Sequence, residues 1–134
     1  MGCWQEIDHT ADLALQVWGE DLPDLFATAA QGMFALVARP DLQAEPLKRC
    51  VALEALDVET LLVDWLNELL YLYEVTMAVL DEVDFEALSA TRLHATVRGR
   101  PAATQRAQIK AATFHNLEVV TSEAGVRTEI VFDI

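Results

Sequence analysis

The chain lacks most of the features that would place it in the large enzyme and membrane classes. Only two of its 134 residues are cysteine, Cys3 and Cys50, and no Cys or His cluster has zinc-ligand spacing. Both thiols read as reduced, as in a cytosolic protein. Basic residues are scarce, 9 against 22 acidic, which leaves a net charge of −13. That balance disfavours sequence-independent binding to phosphate backbones and excludes a polybasic membrane anchor. No apolar run reaches membrane-spanning length, because Asp64, Asn67 and Glu68 interrupt the richest stretch. The start Met1-Gly2-Cys3-Trp4 has neither the basic region nor the apolar core of a signal peptide, and Glu6 stands where a myristoylation signal needs Ser or Thr. The 5 glycines and 4 prolines are scattered, with no linker or repeat. No GxGxxG, Walker, GxSxG or HExxH motif occurs, so no nucleotide loop, nucleophile elbow or zinc-protease helix is indicated.

What is present is a single globular domain over 1–134. Hydrophobic residues make up 53%, enough to bury a core without disulfide or metal staples, and area scaling gives a folded surface of about 7,000 Å². Trp4 to Asp8 reads as a strand with Ile7 inward. Leu13, Leu15 and Val17 alternate along a second strand. Asp21 is a helix N-cap, and Leu22, Leu25, Phe26, Ala29, Met33 and Phe34 recur at helical spacing to about Val37. Arg49 to Asp57 is a strand. Leu61, Leu62, Trp65, Leu66, Leu69, Leu70 and Tyr73 form the apolar stripe of a second helix, with Asp64, Asn67, Glu68 and Tyr71 opposite. Met77 to Leu80 and Phe85 to Leu88 form one bent strand or a hairpin, and Leu93 to Val97 a half-buried strand. Gly99 to Gln105 reads as a loop and Ala107 to Thr121 as a long β-rich stretch. A last strand runs from Arg127 to Ile134. The fold class is α+β: two helices packed on mostly antiparallel β-sheet, in the approximate order β-β-α-β-α-β-β-β-β.

Two places carry candidate chemistry. His9-Thr10-Ala11-Asp12 is a polar cluster between two strands, and from spacing alone plain turn chemistry is the favoured account of it. At the other end, Val131-Phe132-Asp133-Ile134 places an acid beside the last residue. Carboxylate and carbonyl oxygens without sulfur or imidazole suit a hard cation, calcium or magnesium, better than zinc. His94 reads as a solvated histidine on a polar strand face, and His115 as a partner for a backbone group.

These motifs resemble the archease family over nearly the whole chain. His9-Thr10-Ala11-Asp12 followed by Val17-Trp18-Gly19 is similar to the family's opening. Trp65 to Tyr71 is similar to its second-helix signature. Ile109 to His115 is similar to a late strand motif in which Tyr usually stands at Phe114, and Val131 to Ile134 is similar to its terminus. One segment departs from the pattern: Gly99 to Arg106 has Arg100 where the family has an acid, with no His or Asp following.

The resemblance implies a cytoplasmic accessory protein that is not itself an enzyme. Its partner would be the GTP-dependent RNA ligase of the RtcB type, whose guanylylation and repeated turnover it promotes in tRNA splicing and RNA repair. An alternative is a chaperone or binding module for an RNA-modifying enzyme, with the carboxylates only structural. A small hydrolase using His9, Asp12 and Asp133 ranks last, because no nucleophile is suggested. The family's metal ligands carry over to Asp12, Asp133 and Ile134, the last through a main-chain or terminal oxygen, with His9 as a hydrogen-bond donor beside them. The implied ion is calcium, with magnesium or manganese as alternatives. No sequence-specific contact with nucleic acid and no membrane contact are implied. Two distant carboxylates can converge only if the first hairpin and the last strand are neighbours. They then repel unless a cation lies between them or one takes a proton.

Overall fold

A computed structural model describes residues 2–9 and 12–134, with Asp8 and His9 described by their backbone alone. The elements run β1 (Cys3–His9), β2 (Asp12–Gly19), α1 (Leu22–Val37), β3 (Ala38–Pro40), β4 (Leu47–Glu54), α2 (Val58–Thr76), β5 (Ala78–Leu88), β6 (Arg92–Gln105), β7 (Ala111–Ala112), β8 (Val120–Ser122) and β9 (Gly125–Asp133). All pairings among the described residues are antiparallel.

The strands form two sheets. One has the order β1-β2-β9-β7, with β8 also on β9; the other has β3-β6-β4, with β5 on the far side of β6. Both helices touch strands of both sheets, so they lie between them. Helix α1 starts where the sequence places it, because the Asp21 carboxylate accepts a hydrogen bond of 2.9 Å from the Asp24 N–H. Asp57 caps α2 in the same way through Thr60 N–H at 2.8 Å. The apolar stripe of α2 is buried from Leu61 to Tyr73. At its centre Trp65 is fully buried. Its indole N–H donates to the Phe26 carbonyl at 3.0 Å, which removes the cost of burying that donor.

Several local readings change. Gly99–Gln105 is the second half of β6, not a loop, because β3 and β5 pair with it. A Cβ at Gly99 would collide with the Val79 carbonyl, so glycine is required where β5 and β6 approach most closely. In the same segment the Arg100 Nε–H donates to the Ala44 carbonyl and the Arg106 guanidinium to the Ala35 carbonyl. Of the two alternatives for Met77 to Leu88, the single strand is the one formed: β5 runs bulged over Ala78–Leu88, with Met77 as the C-cap of α2. The stretch 107–121 is extended only at Ala111–Ala112 and Val120–Ser122; a loop connects these, held at Val119 N–H by the Glu59 carboxylate. Ile7 pairs with Ala14, on the face turned away from the helices, whereas Trp4 packs against Gly32 of α1. Asn67 does not point to water. It receives a hydrogen bond from Ala112 N–H at 2.7 Å and donates to the Ala112 carbonyl at 3.3 Å, tying α2 to β7.

No helix among the described residues is long and apolar enough to cross a membrane, which leaves strand-built spans unaddressed. Cys3 and Cys50 are both free and exposed.

Candidate cation site

The two ends of the chain meet in the five-stranded sheet. Strands β2 and β9 pair from Gly19↔Val126 to Leu13↔Phe132. Leu13, Leu15 and Val17 lie opposite Phe132, Ile130 and Thr128 on the face that packs against the helices. The intervening residues therefore point to the other face. The paired register ends at Leu13↔Phe132; carried on by one pair it would set Asp12 opposite Asp133 on that outer face. Directly opposed side chains in an antiparallel pair have Cβ atoms about 4.5–5.5 Å apart. The same rung extends outward on both sides, because His9 pairs with Asp12 and Ala111 with Asp133.

Each support of the rung has a local cause. The inner residues of β2 and β9 are apolar, so a slip by one position would expose the core face, and the register is fixed. Strand β7 holds the far side of Asp133: Lys110 N–H donates to the Asp133 carbonyl at 2.8 Å. Asn67 in turn fixes β7 through both polar groups of Ala112. The Asp133 carbonyl is thus occupied, which leaves its carboxylate and the main chain of Ile134 as oxygen donors. Asp133 and Ile134 are exposed and Asp12 is half-buried.

The structure places Asp12 at the start of β2 and Asp133 and Ile134 at and just beyond the end of β9, the strand that pairs with it. The backbone of His9 joins the same rung, while its side chain, Thr10 and Ala11 lie outside the described residues. No group of three or more His, Cys, Asp or Glu side chains that would hold a metal occurs among the described residues. The available set is two carboxylates completed by main-chain oxygen, which is hard-cation chemistry. His94 is exposed, as read from the sequence. His115 is also exposed, and its ring nitrogen Nε2 faces the Asn116 amide at 3.4 Å. Sequence reasoning missed Asn67 as a support. The available signal was an asparagine, a poor helix former, inside the strongest helix of the chain.

A groove of about 170 Å³ opens farther along the outer face of β2 and β9, between Trp18, Arg127, Gln16 and Glu129 on the sheet and Glu118 above; it does not include the rung.

The model of the Archease protein family (MTH1598/TM1083) matches residues 4–134. The chain belongs to the archease family. Among its relatives, Protein archease of Archaeoglobus fulgidus is 34% identical, over 96% of this chain and 96% of that protein. Protein archease of Methanosarcina mazei is 30% identical, over 98% of this chain and 95% of that one. The solution structure of Protein 1598 from Methanobacterium thermoautotrophicum superposes with a TM-score of 0.70 at 25% identity, covering 98% of each chain. An archease from Thermotoga maritima, described as a possible chaperone, superposes at 0.72 with 22% identity over 97% of this chain and 96% of that one, a likeness of fold. The α+β architecture of this archease-family chain is that of its solved relatives.

Proposed function

We propose that this archease-family chain is a non-enzymatic accessory protein of a GTP-dependent RtcB-type RNA ligase. It promotes ligase guanylylation and multiple turnover in tRNA splicing and RNA repair, in the cytoplasm. Asp12, Asp133 and the main-chain oxygen of Ile134 hold a divalent cation, calcium first and magnesium or manganese as alternatives. His9 orients the Asp12 carboxylate by a hydrogen bond. Family membership supports the class of function, and the pairing of β2 with β9, whose ends carry Asp12 and Asp133, supports the site.

The donor set fits such an ion. Oxygen ligands match calcium, and opposed carboxylates on neighbouring strands destabilise each other unless a positive charge lies between them. The ion, when bound, supplies positive charge at an otherwise acidic surface. The chain's own residues do the rest: Asp12 and Asp133 bind, Asn67 and Lys110 keep β7 and β9 in register, and no side chain forms a covalent intermediate. The partner surface is correspondingly basic or metal-containing, given a net charge of −13.

Asp12→Ala and Asp133→Ala are expected to keep the fold and abolish stimulation of multiple-turnover ligation by the ligase of the same source. Full stimulation by both variants would end the proposal. The rival reading, a chaperone or binding module with structural carboxylates, expects client binding unchanged in both and no cation heat that depends on Asp12.

A further inference from the structure

Three residues at the end of α2 run against local stability rules, and all three line one cavity. Met77 occupies the C-cap in the left-handed conformation, φ 58° and ψ 24°. Glycine or asparagine is favoured there, because a Cβ is crowded. Its side chain is 48% exposed at the cavity mouth. Tyr73 is buried and its hydroxyl has no hydrogen-bond partner. Glu74 places an acid in the last turn, where the helix dipole favours a base, and that turn holds no basic residue. Locally unfavourable choices of this kind cluster where function constrains the sequence.

The cavity measures about 190 Å³ and is walled by Val37, Leu70 and Ile109 as well as by Tyr73, Glu74 and Met77. Helix α1 ends at Val37, so the carbonyl ends of both helices reach it. Arg106 serves the α1 end, with its guanidinium on the Ala35 carbonyl. The result is an apolar floor beside an acid, at the carbonyl end of α2, whose last turn holds no base, in a chain of net charge −13.

We propose that this cavity receives an arginine side chain presented by a protein partner, with its aliphatic stem against Leu70, Met77 and Ile109 and its guanidinium on the Glu74 carboxylate. Charge complementarity selects a cation, and the apolar walls select one with a long stem. The planar fork of arginine pairs with a carboxylate through two hydrogen bonds and is less strongly hydrated than an ammonium. The flexible thioether of Met77 adapts to what enters. The inference does not depend on the partner being an RNA ligase.

The test is a ¹⁵N NMR titration of the full chain with N-acetyl-arginine methylamide, alongside its citrulline, lysine and norleucine counterparts. The arginine compound is expected to shift signals of Val37, Tyr73, Glu74, Met77 and Ile109. The neutral citrulline compound and the apolar norleucine compound should bind about fivefold or more weakly. Glu74→Gln should weaken arginine binding by about the same factor without changing the dispersion of the spectrum. Met77→Gly should raise Tm and weaken binding. Absence of shifts at these residues, citrulline binding as tightly as arginine, or an unchanged affinity in Glu74→Gln would overturn the proposal. Equal or tighter binding of norleucine would make the cavity an apolar anchor pocket, and of the lysine compound a general cation pocket; either result also overturns it.

Discussion

The interior around Trp65 and the outer rung of Asp12 and Asp133 share one framework under opposite demands. Around Trp65 every level agrees: a helical stripe, an indole satisfied by the Phe26 carbonyl, and a tilted ring contact with Phe85 at 5.5 Å. At the rung the register of an apolar core, carried one pair past Leu13↔Phe132, would set two like charges against each other. The first region holds the molecule together and has no chemistry to offer. The second lies at the end of the β2–β9 ladder, on exposed and half-buried positions, and is expected to contribute little to stability. A residue's worth to the fold and its worth to function are therefore expected to separate between these regions.

That separation can be broken or sharpened by substitution. Trp65→Ala, at the centre of the core, should destabilise by about 3–5 kcal/mol in urea unfolding. Asn67→Ala couples the two regions. It leaves the Ala112 N–H and carbonyl without partners and should cost about 1–3 kcal/mol. It should also speed amide exchange at Ala112 and Lys110, where β7 supports Asp133. Both losses being absent would show that β7 stands without α2.

A pH effect separates the sheets further. Burial, and to a lesser degree the charge of neighbouring Glu82, push the Asp81 carboxyl above its ordinary value of 3.8. The folded state then holds this proton more tightly than the unfolded state. Asp81 therefore reduces stability as pH rises from 3.8 through its folded value, with a constant deficit above it. Asp81→Asn should be more stable than the parent at pH 7 and should lose that advantage near pH 3. An advantage that persists at pH 3 would assign the effect to packing. The smallest stability effect is expected at the rung itself. Asp12→Asn and Asp133→Asn should each change unfolding free energy by no more than about 0.5 kcal/mol, neutral or upward.

The helices were legible in the sequence because their signals are local: Asp21 as a cap, and a stripe from Leu61 to Tyr73 that can face only one way. The β2 and β9 strands were legible through alternation. The segments 99–105 and 107–121 were not, because pairing there is decided by distant strands and by one close backbone approach at Gly99. Periodicity also misplaced Asn67, since Asp64, Asn67 and Glu68 are only partly exposed, unlike Tyr71 farther along α2, and an amide can be satisfied by a strand edge. The acids of the site were visible as residues. Their convergence was not, because it depends on how far the β2–β9 register runs.

The most direct test is isothermal titration of calcium into the parent chain, Asp12→Asn and Asp133→Asn, with folding of each checked by circular dichroism. The account predicts saturable heat for the parent and its loss in both variants, with unchanged spectra. Equal heat in all three, or none in the parent with calcium, magnesium or manganese, would contradict it.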